Sequence, residues 1–327
     1  MESPKALLTE GSVGRHLVAM TVPMLFGIFT MMMQSFIDMW FIGQVGDDSL
    51  AALSFAFPVI MVVTSLAIGL GAGTSSVVAR AIGANDHRRA QRLATDSLFL
   101  SFCITVGISF IGFLTTASLF RLLGAPEDMI PLIAGYMNIL YFAVPFLVVS
   151  MVGMTSMRAT GDTRLPSMLM IVSSILNLIL DPILIFGIGP IPALGLEGAA
   201  WAGLLSRGSI FFAVMYYMKT RSDLLTFNKP DSKDLFSSWR DVLHVGIPAA
   251  ATNAIIPIAT GVITAMLAQY GPETVAGFGV ASRIESLVLV LFYALSAVIG
   301  PFVGQNISAG KVDRIYRALW LCTGFCI

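Results

Sequence analysis

Charged side chains are scarce in this sequence: they make up 12% of its 327 residues, against roughly 25% in a typical soluble domain. The 19 lysines and arginines balance the 19 aspartates and glutamates, so there is no basic excess to hold a nucleic acid. Three cysteines are too few for a disulfide scaffold. The three histidines, His16, His87 and His244, are far apart in the sequence and support neither a metal centre nor a catalytic histidine.

What the sequence has instead is long apolar runs, with 56% hydrophobic residues overall. A helix needs about 20 residues to cross a hydrocarbon core of about 30 Å. Eight segments meet that length and predict an all-α integral membrane protein: 16–42, 50–81, 94–117, 131–156, 165–187, 198–218, 242–270 and 275–305. A ninth helix is expected to begin near Ala318, so we expect the chain to be the front part of a longer protein. The polar start has no cleavage pattern, and the first helix is therefore predicted to be retained rather than removed as a signal peptide.

The positions of lysine and arginine predict the orientation. Cytoplasmic loops of membrane proteins carry an excess of these residues. If the N-terminus is cytoplasmic, sixteen of the nineteen fall on the cytoplasmic side, and the loops 43–49, 187–197 and 271–274 contain none. The sequence therefore predicts a multi-pass protein of the cell membrane with a cytoplasmic N-terminus.

An internal repeat is detectable at an offset of 225 residues. At this offset Arg15 aligns with Arg240, Pro23 with Pro248, and several further Gly, Ala and Arg positions coincide without a gap. Six helices separate the copies, an even number, so both copies have the same orientation and form a parallel repeat. We predict a first six-helix lobe at 1–218, a cytoplasmic linker at 219–241, and an incomplete second lobe at 242–327, with twelve helices in a complete protein.

Polar groups inside the predicted spans are the candidate functional residues. A carboxylate within a membrane costs several kcal/mol unless it is protonated, paired or hydrated. Asp38 and Asp181 each lie six or seven residues before the outer end of a predicted helix, roughly 10 Å below the surface. Asn177 lies on the same helix face as Asp181, and Tyr136 lies at a similar depth. Pro23 breaks the hydrogen-bond pattern of the first helix and permits a bend there.

These four side chains have the chemistry of a site for a coupling ion. Burial disfavours the charged form of a carboxyl group, so Asp38 and Asp181 can bind and release a proton. With Asn177 and backbone carbonyls they can instead supply oxygen ligands to Na⁺. The alternative is that Asp38 faces a hydrated vestibule and that Asp181 is a packing hydrogen bonder. The repeat aligns Asp38 with Ile263, so the first lobe is predicted to carry the chemistry.

Three further charges lie within predicted spans: Arg207, Arg283 and Glu285. Each is a possible cavity charge, and for each a purely structural role is the alternative. Arg92 and Asp96, four residues apart at a helix end, are interpreted as an ordinary surface pair.

Small residues are dense in the second predicted helix, at Gly69, Gly71 and Gly73. Close helix packing explains them. No strand precedes them and no lysine follows, so they do not form a nucleotide-binding loop.

The strongest sequence motifs resemble the multidrug and toxic compound extrusion (MATE) family over essentially the whole chain. They are 37–43 (IDMWFIG), 177–182 (NLILDP), and the two repeated inner loops 79–84 (ARAIGA) and 304–310 (GQNISAG). The segment 283–286 (RIES) resembles the DinF-like branch.

This resemblance implies an antiporter of two six-helix lobes around a central cavity, which exports organic cations and other amphipathic compounds in exchange for H⁺ or Na⁺. Its first-lobe site corresponds to Asp38, Tyr136, Asn177 and Asp181, and its helix bend to Pro23. The segment around Thr252 has no carboxylate, so no second-lobe site is assigned, and H⁺ is favoured over Na⁺. No enzymatic activity and no cofactor are expected; the partners are amphipathic small molecules and the bilayer, and the protein is expected to be a monomer.

Two other functions are alternatives to the antiporter. A flippase of lipid-linked oligosaccharide precursors would need a cationic cavity, for which only Arg207 and Arg283 are available. A membrane enzyme would need clustered nucleophiles at one depth, which the scattered histidines do not provide.

Overall fold

The computed structural model describes residues 6–228, 231–270 and 272–326, and these are helical throughout apart from turns and loops. Ten α-helices follow in order: α1 Val13–Val45, α2 Asp47–Gly83, α3 His87–Leu122, α4 Ile130–Ala159, α5 Arg164–Phe186, α6 Leu196–Thr220, α7 Ser232–Leu267, α8 Pro272–Val288, α9 Val290–Ser308 and α10 Val312–Cys326. Eight helices in this part of the chain, α1 to α7 and α9, are long and apolar enough to span a membrane. The all-α membrane fold and the count of eight spans are therefore confirmed.

Three predicted boundaries differ from the structure. The eighth predicted helix, 275–305, is two helices that meet at Leu289. Hydrogen bonds from Leu289 N–H to the Glu285 carbonyl (2.9 Å) and from Tyr293 N–H to the Leu289 carbonyl (3.0 Å) carry the backbone through this junction. Helix α7 begins ten residues earlier than predicted, so the second half of the predicted linker 219–241 is helical. Helix α10 begins at Val312 rather than near Ala318, after a loop of three residues that follows α9.

The helix ends repeat at the predicted offset of 225 residues. Helix α2 begins at Asp47 and α8 at Pro272; α2 ends at Gly83 and α9 at Ser308; α3 and α10 begin at His87 and Val312. The single helix α2 thus corresponds to the two consecutive helices α8 and α9. The repeat of the sequence is a repeat of structure.

Close packing joins the two copies along α2. A methyl group added at Gly69 would lie 2.5 Å from both the Ala250 Cβ and the Gly246 carbonyl oxygen, and one at Gly73 would overlap the Val242 carbonyl oxygen. Helix α7 therefore approaches α2 as closely as two backbones can, which is the reason for the dense glycines. Farther along α2, Ala79 contacts Gly304, its own counterpart at offset 225. A contact between equivalent residues places the pseudo-twofold axis of the repeat between α2 and α9.

These contacts close one end of the bundle. We call it the basic end, where α1, α3, α5 and α7 begin and α2, α4, α6 and α9 end. Here the N-terminal segment, residues 6–12, lies across the junction of the copies, and Leu8 is 1% exposed. Its N–H donates to Gln305 Oε1 (3.1 Å), Asn306 Nδ2 donates to its carbonyl (3.1 Å), and Gln305 Nε2 donates to the Ala159 carbonyl (2.7 Å). Buried side-chain amides thus tie the chain start, α9 and the end of α4 together.

The pair Arg92–Asp96 is not a surface pair. Asp96 is 1% exposed, and its carboxylate accepts from Arg92 Nη2 (2.7 Å) and Nε (3.1 Å). The indole of Trp239 in α7 covers it and donates to the Asp96 carbonyl at 3.1 Å. The earlier start of α7 explains the burial, because the extra turns bring Trp239 over α3.

Candidate functional site

A cavity of about 530 Å³ opens between α1, α2, α4, α5 and α6, in the half of the bundle away from the basic end. Asp38, Tyr136, Asn177 and Asp181 all line it. The structure therefore brings together, in one wall, the four residues that the depth argument grouped. Their role in ion coupling stays a prediction.

The two carboxyl groups of the cavity contact each other. Asp181 is 1% exposed and Asp38 is half-buried, and their carboxyl groups lie close enough to interact with each other. Asp38 Oδ1 and Asp181 Oδ2 are buried and have no hydrogen-bond partner among the described residues. Two carboxyl groups placed side by side repel each other when both are ionised, and the binding of one proton between them relieves that repulsion.

An amide network holds the remaining oxygens of the pair. Gln34 Nε2 donates to Asp38 Oδ2 at 3.3 Å and also to Asn177 Oδ1, and Asn177 Nδ2 donates to Asp181 Oδ1 at 3.5 Å. Gln34 was not among the predicted site residues. Its spacing of four residues from Asp38, one turn along the same helix face, was the signal that could have found it.

Tyr136 and Pro23 occupy different surroundings. Tyr136 is 9% exposed and lies in the α4 wall of the cavity, close enough for electrostatic interaction with both aspartates. Pro23 lies within α1, which continues through it without interruption from Val13 to Val45. A proline leaves the carbonyl four residues earlier without its helical partner, so the bend at Pro23 remains a prediction about a conformation other than this one.

The three possible cavity charges separate in the structure. Arg207 lines the cavity and interacts electrostatically with Asp38, Asp181 and Tyr136. Glu285 is exposed and does not line the cavity. The side chain of Arg283 lies outside the described part of the chain.

The rest of the cavity wall is largely apolar and methionine-rich. Among the described residues, one phenylalanine, Phe57, lines the cavity. Six methionines line it as well: Met31, Met39, Met61, Met151, Met154 and Met170. Thioether side chains are flexible and repack readily around ligands of different shape. Which methionines line the cavity could not be read from the sequence, because all five helices around it contribute apolar residues.

The two α1 residues of this site do not recur in the second copy of the repeat. At offset 225, Asp38 and Gln34 correspond to Ile263, which is exposed, and to Ala259. Within the described residues, no cluster of three or more His, Cys, Asp or Glu side chains could hold a metal ion. The polar chemistry is thus concentrated in the first lobe.

Comparisons with known proteins agree with this architecture. The family model MatE matches residues 23–183 and 248–327. A chain of this fold has been solved for a mutant of the Vibrio cholerae MATE transporter VcmN: the two structures superpose with a TM-score of 0.91 at 31% sequence identity, over 96% of this chain and 70% of that one. The two matches identify both the fold and the family independently.

Two curated relatives differ in what they are named for. The "FAD transporter" of Shewanella oneidensis is 41% identical over 98% of this chain and 71% of its own length. The "Multidrug export protein MepA" of Staphylococcus aureus is 24% identical over 96% of this chain and 70% of its own length. The chain belongs to the MatE family of multidrug and toxic compound extrusion proteins, which are membrane transporters and not enzymes.

Proposed function

We propose that this protein is a secondary antiporter that exports amphipathic compounds in exchange for H⁺ by alternating access. The observation that carries the proposal is the pair of carboxyl groups, Asp38 and Asp181, that line one cavity and each hold a buried oxygen without a hydrogen-bond partner among the described residues. The basic end is the cytoplasmic one, by the positive-inside rule, and the membrane is the cell membrane. The protein works as a monomer and needs no cofactor.

The coupling follows from the charge of the pair. When both carboxyl groups are ionised, they carry two negative charges, of which Arg207 compensates only one. The cavity then attracts a cationic or polarisable ligand. Protonation from the outside removes that attraction, so the proton and a cationic substrate compete for the same two groups. Because the basic end is closed and the cavity lies toward the opposite end, substrate released in this conformation leaves toward the outside.

A proton is favoured over Na⁺ because one side-chain oxygen each of Asp38, Asn177 and Asp181 already accepts a hydrogen bond from an amide group. Gln34 Nε2 already donates to Asp38 Oδ2 and to Asn177 Oδ1, and Asn177 Nδ2 faces Asp181. Each oxygen that accepts from an amide donor has one lone pair fewer for a cation. The two remaining oxygens are one from each carboxyl, which suits a single shared proton.

The test uses inside-out vesicles that contain the protein, with the fluorescent cation ethidium added to the outside medium. A proton gradient, acidic inside, is expected to drive ethidium uptake, and an Na⁺ gradient is not. Asp38→Asn and Asp181→Asn should each lower the initial rate by about tenfold or more, within the range of 5- to 150-fold that a typical coupling free energy represents. Asp128→Asn, an exposed aspartate in the loop between α3 and α4, is the matched control and should transport like the wild type. Uptake that is equally fast in Asp38→Asn would contradict the role of Asp38 in coupling. Uptake driven only by an Na⁺ gradient would show that the coupling ion is Na⁺ and not H⁺.

A flavin nucleotide is a second candidate substrate, because the relative from Shewanella oneidensis is named an FAD transporter. The specific observation in its favour is a guanidinium in the cavity wall, that of Arg207. A flippase of lipid-linked oligosaccharides is disfavoured by the same wall: among its described residues one arginine stands against two carboxyl groups, where a pyrophosphate would need several cations.

A further inference from the structure

The charged side chain of Arg207, in α6, lines the cavity. Its guanidinium extends along α6 to Gly203, where a methyl group would lie 3.7 Å from Nη1. Within the part of the chain that the structure describes, no carboxylate lies within 4.0 Å of it. The titratable groups that face it are Asp38 from α1, Tyr136 from α4 and Asp181 from α5.

The charge balance of the wall follows from these groups. With one proton shared between Asp38 and Asp181, the pair carries one negative charge and Arg207 one positive charge, so the wall is neutral. With a second proton it carries one positive charge. A cavity of this kind is not a simple trap for cations, and a guanidinium inside a membrane domain is retained only where it has a partner or a function.

We propose that Arg207 binds an anionic group, a phosphate or a carboxylate, of an amphipathic substrate whose ring system lies against Phe57 and the methionine wall. This inference rests on the proposed export function and names the substrate class. A guanidinium is suited to the role because its planar donors match the oxygens of phosphate and carboxylate in pairs. The half-buried position leaves the donors accessible from the cavity.

The anion site predicts opposite proton linkage for two kinds of substrate. An anion on Arg207 is repelled by ionised Asp38 and Asp181, so it binds better when they hold protons. A cation binds better when they do not. By reciprocity, an anion strengthens proton binding and a cation weakens it. Protons therefore drive the release of a cation, whereas the inside-negative membrane potential favours the exit of a phosphate-bearing substrate.

The experiment uses two probes that differ by one phosphate, riboflavin and riboflavin phosphate, with ethidium as the cation. Binding of each to the full-length protein in nanodiscs is measured by fluorescence. The wild type should prefer riboflavin phosphate to riboflavin by about tenfold, the size expected of a charge-assisted hydrogen bond. Arg207→Gln should abolish the preference, Arg207→Lys should keep part of it, and Arg88→Gln, an exposed arginine at the start of α3, should keep all of it.

A second variant tests the linkage without a change of pH. Asp38→Asn mimics the protonated carboxyl and should strengthen the binding of riboflavin phosphate while it weakens the binding of ethidium. Ethidium binding by Arg207→Gln also reports that this variant is folded.

The outcomes separate this inference from the proposed function. An unchanged preference in Arg207→Gln, or no preference in the wild type, overturns the anion site; if proton-driven ethidium uptake persists, the antiport proposal stands. If the wild type binds none of the three probes and shows no proton-driven uptake, both proposals are wrong. Opposite effects of Asp38→Asn on the two charged probes, with loss of the phosphate preference in Arg207→Gln alone, support the site.

Discussion

Replacement of Arg314 by alanine is expected to release the N-terminal segment from the basic end. Its guanidinium donates to Asn306 Oδ1 (3.0 Å) and to the carbonyls of Gly11 (2.6 Å), Leu8 (3.0 Å) and Glu10 (3.1 Å). It also lies 5.8 Å from the centre of the Phe302 ring. Arg314 therefore connects α10, α9 and the chain start at the point where the two copies of the repeat are closed.

The magnitude can be worked from these four bonds. A hydrogen bond to a charged group contributes about 1.5–3 kcal/mol, but the contributions are not additive, and water can replace the donors because the side chain is half-exposed. We therefore expect a loss of about 2 kcal/mol, close to the value for one well-made charged bond, which corresponds to about a 30-fold change in the opening equilibrium. Lys311 still holds the Thr9 carbonyl at 2.9 Å, so the release is partial.

Hydrogen exchange of the Leu8 amide, which donates to Gln305 Oε1, measures this opening directly. Its exchange should be about 30-fold faster in Arg314→Ala, with Arg314→Lys in between. Arg317→Ala is the matched control: it lies on the same helix, is exposed, and has no hydrogen bond or ion pair with any described residue. An exchange rate in Arg314→Ala equal to that of the wild type, or an equal acceleration in Arg317→Ala, would refute the role of Arg314.

Two further substitutions test the packing. Gly73→Ala should lower the free energy of unfolding by about 1–3 kcal/mol, because the new methyl overlaps the Val242 carbonyl oxygen and forces α2 from α7; Gly107→Ala, where nothing lies within 4 Å, should instead stabilise by up to about 1 kcal/mol. Equal unfolding midpoints for the two variants would disprove the close approach. Asp96→Ala should lower the free energy of unfolding by about 3 kcal/mol because it strands Arg92 beside a buried site, whereas the exposed Asp128→Ala should stay within about 0.5 kcal/mol of the wild type. Denaturant titration in detergent measures both, and a small effect of Asp96→Ala would mean that the pair behaves as a solvated one.

Some helix boundaries could be predicted from local sequence signals, and others could not. The copies end at equivalent residues because the turns that stop them, such as the one after Gly83 and the one after Ser308, are encoded at the same offset of 225. The junction at Leu289 was not predicted, since neither a proline nor a glycine lies within four residues of it. A one-residue interruption of this kind leaves no local signal in the sequence.

The Arg92–Asp96 pair was misread for a similar reason. A spacing of four residues predicts that two side chains meet on one helix, and they do, at 2.7 Å. It does not predict what covers them. Burial of Asp96 depends on Trp239, 143 residues away in the sequence.

The class of protein, the number of spans and the register of the repeat were determined by the sequence alone, because scarcity of charge, helix rise and periodicity are properties of the chain itself. Depth along each helix likewise followed from counting residues, and it placed Asp38, Asn177 and Asp181 at one level. Only the tertiary structure decided that Asp38 and Asp181 line the same cavity, that Gln34 connects Asp38 to Asn177, and that Arg207 faces the cavity while Glu285 does not. The physical reason is that the rotation of a helix about its own axis is set by packing against its neighbours, and that rotation selects which side chains share a cavity.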